Sequence, residues 1–114
     1  MEEIAIEIYE TTTGKRPFEI WFRELKEIHT RAKILTRLDR LRLGNFGDCK
    51  PLQEGVHELR IHYGPGIGIY YGKIGNKVIL LLCGGDKGSQ DRNILKAKEY
   101  LKDYQSRRTS HGKK

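Results

Sequence analysis

The chain has only two cysteines in 114 residues, Cys49 and Cys83, which excludes a disulfide framework and gives no metal-binding spacing. Cys83 ends an apolar segment and reads as a small buried hydrophobe in a reduced compartment. Long apolar runs are missing too: the longest, residues 78–83, is far short of the roughly 20 residues that cross a bilayer. The start, Met1-Glu2-Glu3, has neither the basic region nor the apolar segment of a secretory leader. No internal repeat, glycine-rich nucleotide motif or cluster of His, Cys and carboxylates at ligand spacing is present. The expectation is a cytoplasmic protein with no membrane association, no metal and no cofactor.

What the chain has is positive charge. Its 22 Lys and Arg face 15 Asp and Glu, for a formal charge of +7, and such a surplus suits a polyanionic partner such as nucleic acid. Part of the surplus is terminal. Arg107, Arg108, Lys113 and Lys114 lie in a segment without acids, leaving 18 basic against 15 acidic residues before it. The length suits one domain, expected over residues 1–104, followed by a basic, disordered tail over 105–114 that could be purely solubilising.

Ile4, Ile6 and Ile8 alternate with polar or small neighbours, the pattern of a strand with one buried face. Pro17 is placed to open a helix whose stripe is Phe18, Trp21, Phe22, Leu25 and Ile28. A second helix is expected over residues 30–43, with Ile34, Leu38 and Leu41 inward and Gly44 as its stop. Arg31, Lys33, Arg37, Arg40 and Arg42 stand there against Asp39 alone, as a solvated face or a phosphate-contacting one. Residues 45–55 read as a loop. A hairpin follows, residues 57–63 and 67–74 around Gly64-Pro65-Gly66, then an apolar central strand over 78–83 and a last helix carrying Ile94, Ala97, Leu101 and Tyr104. The order predicts an α+β fold.

The first hairpin strand sends Leu59, Ile61 and Tyr63 to one side and Glu58, Arg60 and His62 to the other, with polar neighbours roughly 6.6 Å apart. A carboxylate, a guanidinium and an imidazole can together cleave RNA without metal: one group takes the 2'-hydroxyl proton, another gives a proton to the leaving 5'-oxygen, and Arg holds the phosphate. Histidine serves either proton role near neutrality, and His57 is a further candidate. The same alternation also describes any half-exposed strand. Downstream, Gly84-Gly85-Asp86-Lys87-Gly88-Ser89-Gln90 leads into a helix, where Lys87 and Gln90 suit an anion and the glycines either admit a ligand or simply end the strand. Tyr70 and Tyr71 point to opposite faces, so one of them is either core or a stacking platform for a base. His29 and His111 read as solvated.

These segments resemble the RelE/ParE superfamily of bacterial toxins, in particular the HigB-like addiction module killer branch. The resemblance runs over residues 3–104 and rests on Pro17-Phe18 with Trp21, Glu58-Leu59-Arg60, Gly64-Pro65-Gly66, Ile69-Tyr70-Tyr71, and residues 80–87 with Gln90. It implies a RelE-like α+β fold, a small antiparallel sheet packed against two N-terminal helices, with a C-terminal helix. It implies the toxin of a type II toxin-antitoxin module, an endoribonuclease cleaving mRNA on the ribosome and held silent by a helix-turn-helix antitoxin, through which alone operator DNA is contacted. The resemblance points at Arg60 and at the Lys87 loop; joined to the reading of the residues above, the expected site has Arg60, Glu58, His62 and Lys87 as catalytic residues, with Arg37, Arg40, Lys73, Tyr70 and Gln90 toward RNA. One position departs. Relatives of that branch read an aromatic and then Arg after the Gly-Pro-Gly turn, whereas this chain reads Ile67-Gly68. That leaves an attenuated toxin, or a site that recruits Arg60, Lys73 or Lys87 instead. A ParE-like inhibitor of DNA gyrase and a protein retaining only antitoxin binding are the other classes left open.

Overall fold

The computed structural model describes residues 3–112, with side chains through Arg108; Met1, Glu2, the side chain of His111, Lys113 and Lys114 fall outside that description. Five strands form one mixed sheet. They are β1 (Ala5–Ile8), β2 (Cys49–Pro51), β3 (Val56–Ile61), β4 (Ile67–Ile74) and β5 (Val78–Asp86), in the spatial order β1-β5-β4-β3-β2. The antiparallel expectation holds for β2 through β5, but β1 runs parallel to β5, with Ala5 opposite Val78. The long return through two helices brings β1 beside β5 in the same direction, which no hairpin could do. As the apolar run predicts, β5 lies inside the sheet and is buried along nearly its whole length.

Helices α1 (Pro17–Glu24) and α2 (Ile28–Arg42) cover one face of the sheet, where Phe18, Ile34, Leu38 and Leu41 pack with Leu59, Ile61, Ile69, Tyr71, Ile79 and Leu81. The expected stripe of the first helix is cut short. Leu25 leaves the helical conformation, and Glu27 caps a new helix by accepting from the Thr30 N–H at 3.0 Å. Ile28 therefore begins α2 as an exposed residue instead of closing the stripe of α1. The other face is covered by α3 (Gln90–Gly112), entered through a 3-10 turn over Lys87–Ser89, with Ala97 and Leu101 against Val56, Tyr70, Leu80 and Leu82.

Helix α3 continues to Gly112, into the segment expected to be a disordered tail, whose last two residues lie outside the described ones. Tertiary anchors hold it. Arg107 pairs with Asp103 at 2.7 Å and donates to the Glu10 carbonyl at 2.6 Å, while Tyr9 donates to Asp103 at 2.6 Å and stacks on Tyr100. The segment read as a loop over residues 45–55 also contains structure, because β2 pairs at the sheet edge with β3. Pro51 is tolerated in an edge strand, where no ladder partner needs its missing N–H. Residues 52–55 join β2 to β3 in a tight turn with positive φ at Glu54 (61°) and Gly55 (83°). No helix among the described residues is long and apolar enough to cross a membrane.

On the α1–α2 face, the half-buried His57 ring stacks on Tyr71 with centroids 5.2 Å apart. Burial, with the charge of Lys73 second, holds its pKa below the ordinary 6.5. The unfolded chain thus takes up a proton at a pH where the folded chain resists it, so the contribution is full above about pH 6.5 and is lost as pH falls below that. Urea midpoints at pH 7.5 and 5.5 should differ more for the wild type than for His57→Phe. Equal differences would contradict this placement.

Candidate functional site

The alternation of β3 carries Glu58 and Arg60 to the α3 face of the sheet, and the register sets Arg60 opposite Gly68, which is opposite Gly85. That row has one side chain across three strands. The neighbouring row is Lys50, Glu58, Tyr70 and Cys83. Beside this row lies a hollow, bounded by the Gly64-Pro65-Gly66 turn and the start of α3, with a volume of about 680 Å³. Its lining includes Lys50, Glu58, Arg60, His62, Lys87 and Gln90. Lys87 is tied to the hairpin turn by its backbone N–H, which donates to the Gly66 carbonyl at 3.1 Å.

Glu58 is the floor. It is 3% exposed, and its Oε2 accepts from the Tyr70 hydroxyl at 3.0 Å and from Gln90 Nε2 at 2.9 Å, while Oε1 faces Arg60 Nε at 3.4 Å. Burial and then the bond to Glu58 push the Tyr70 phenol well above its ordinary range, so it stays a donor. Arg60 is held by its backbone as well. Its N–H donates to the Asp48 carbonyl at 2.9 Å, and its carbonyl accepts from Arg37 Nη1 at 2.6 Å. His62 lies one residue past the end of β3, exposed at the pocket rim, with Nε2 2.5 Å from Asp48 Oδ2. That bond is the main cause of an Asp48 pKa below the usual carboxylate range, with Arg60 and Arg37 adding to it.

Of the residues expected at the site, Arg60, Glu58, His62, Lys87, Gln90 and Tyr70 come together here. Tyr70 is no platform for a base, because its ring is 1% exposed and packs in the core beneath α3. Arg37 reaches β3 from the opposite face and spends its guanidinium on the carbonyls of Arg60 and Phe46. Lys73 is also elsewhere, with its ammonium over the Phe46 ring at 4.5 Å, and Arg40 is exposed on α2, outside the pocket lining. The glycine pair after β5 admits protein instead of a ligand. A Cβ at Gly84 would come within 2.5 Å of Trp21, and one at Gly85 would strike the Asn93 side chain. Sequence reasoning missed Lys50 and Asp48, both hidden in the supposed loop; the Glu54-Gly55 turn just before β3 was the signal for a strand there. Among the described residues no three His, Cys, Asp or Glu side chains cluster as a metal site would.

The fold and pocket define an α+β protein with a cationic hollow at one end of a mixed sheet. No family model matches the chain. A Haemophilus influenzae protein named only as uncharacterized is 42% identical over 95 residues, spanning 83% of this chain and 92% of that one. At that identity and coverage, this chain belongs to the same family as the Haemophilus protein.

Gly68 has no room for the arginine expected there, because a Cβ would sit 2.7 Å from the Tyr70 hydroxyl and 2.9 Å from Glu58 Oε2. Gly68→Ala should therefore cost about 1–3 kcal/mol by overpacking, read from urea unfolding. An unchanged stability would mean that Glu58 and Tyr70 are free to move aside.

Proposed function

We propose that this protein is the toxin of a type II toxin-antitoxin module, a RelE/ParE-superfamily member of the HigB-like branch. It acts in the cytoplasm as a metal-independent endoribonuclease that cuts mRNA on the ribosome and so stops translation. The observation that carries the reading is the convergence of Arg60, Lys87 and Lys50 with an Asp48–His62 pair around one hollow, in a chain whose motifs resemble that family. Its partners are a helix-turn-helix antitoxin, the ribosome and mRNA, with operator DNA reached only through the antitoxin.

The chemistry assigned to the pocket is transfer of the phosphoryl group to the neighbouring 2'-hydroxyl. Asp48 holds His62 through Nε2, leaving Nδ1 to take the 2'-hydroxyl proton. The 2'-oxygen bonds to phosphorus as the bond to the 5'-oxygen breaks, and that oxygen takes a proton from the Lys87 ammonium. A 2',3'-cyclic phosphate and a 5'-hydroxyl result. Arg60 and Lys50 offer charge-assisted contacts to the phosphate oxygens as negative charge builds.

One observation favours a weaker enzyme that keeps mainly antitoxin binding: Gly68 supplies no cation, and its space is taken by Glu58 and Tyr70. Purified protein on programmed ribosomes decides between the two. Cuts near the A site are expected, reduced at least tenfold by Lys87→Ala with the thermal midpoint nearly unchanged, and by Arg60→Ala with a lowered midpoint because Glu58 Oε1 loses its partner. No cuts at stoichiometric protein would leave the binding role and remove the enzyme.

A further inference from the structure

We infer that Glu58 is a positioning residue: its buried carboxylate gathers the Arg60 guanidinium, the Gln90 amide and the Tyr70 hydroxyl beneath the pocket. Gly68 is glycine because that carboxylate needs the space. The inference rests on the ribonuclease reading only where its effect is measured as cleavage.

Three separate parts of the fold meet at this one group. Arg60 comes from β3, Tyr70 from β4 and Gln90 from the first turn of α3. A carboxylate buried in the core is costly unless its oxygens are engaged, and here both are. With 3% of the residue exposed and both oxygens already engaged, it is placed to orient neighbours and not to exchange protons with substrate. Its hold on Arg60 uses Nε, and the two terminal nitrogens remain for a phosphate in the fork geometry that makes arginine a bidentate ligand. Its hold on Gln90 pins the start of α3 over the hollow. A side chain at Gly68 would occupy the space of Oε2 and of its Tyr70 donor, so the glycine and the buried acid form one unit.

The test compares the full-length wild type, Glu58→Gln and Tyr70→Phe, labelled with nitrogen-15. In folded Glu58→Gln, the Arg60 Nε–Hε and Gln90 side-chain signals should move toward those of solvent-exposed groups. Ribosome-dependent cleavage should fall at least tenfold at every pH, with the shape of the pH profile kept. Unmoved signals would overturn the inference, as would loss of the acid limb of the profile, which would make Glu58 a proton-transfer group. Should Glu58→Gln fail to fold, Tyr70→Phe keeps the carboxylate but frees one acceptor position on Oε2. The Gln90 amide signal must then shift, and an unmoved one overturns the inference. A wild type that cuts nothing on ribosomes while these signals respond as described would refute the ribonuclease reading and support the positioning role.

Discussion

Where β3, β4 and β5 run side by side, the row of Arg60, Gly68 and Gly85 carries one side chain in three positions, and the rest of the site depends on that shortage. Close-packed interiors leave little unfilled space. The gap at Gly85 is taken by Ser89 and Asn93, which lets α3 start tight against the sheet. The gap at Gly68 is taken by the Glu58 carboxylate and the Tyr70 hydroxyl. On the opposite face Gly84 gives its space to Trp21, which seats α1. Helices on both faces are thus brought close at one end of the sheet, and the hollow opens beside the one large side chain left in the row, Arg60.

The charges follow from the same packing. Glu58 is walled in by Tyr70 and Gln90, so the acid nearest the hollow is already engaged, while Lys50, Arg60 and Lys87 line it. Arg37 is a cation used structurally. From α2 it bonds the Arg60 carbonyl, so both faces of the sheet fix the strand position of the pocket arginine. Asp48 does this from the residue just before the edge strand β2, holding the Arg60 N–H with its carbonyl and the His62 ring with its carboxylate.

Signals that are local in the chain were legible in its sequence. Pro17 opens a helix, Ile4, Ile6 and Ile8 mark a strand region, and the uninterrupted run over residues 78–83 becomes an interior strand. Features set by distant partners were not. The helical end of α3 depends on Arg107 meeting the carbonyl of Glu10, 97 residues away, and the parallel pairing of β1 depends on sheet order. β2 was hidden because Pro51 speaks against a strand until its edge position is known. At the site, alternation on β3 correctly put Glu58 and Arg60 on one face. That alternation alone leaves the face open, because the covering residue, Gln90, belongs to α3, beyond two further strands in the chain. The same blindness made Gly68 look like a vacancy, when it is occupied from the side.

The central claim is that this hollow, and not the basic face of α2, receives the phosphodiester. An uncleavable RNA dinucleotide, with a 2'-deoxy sugar before the scissile phosphate, titrated at millimolar concentration into the nitrogen-15-labelled chain tests it directly. The account predicts chemical-shift changes confined to Lys50, Arg60, His62, Lys87 and Gln90 and weakened by salt. Changes centred on Arg31, Lys33 and Arg40, with the pocket residues unmoved, would contradict it.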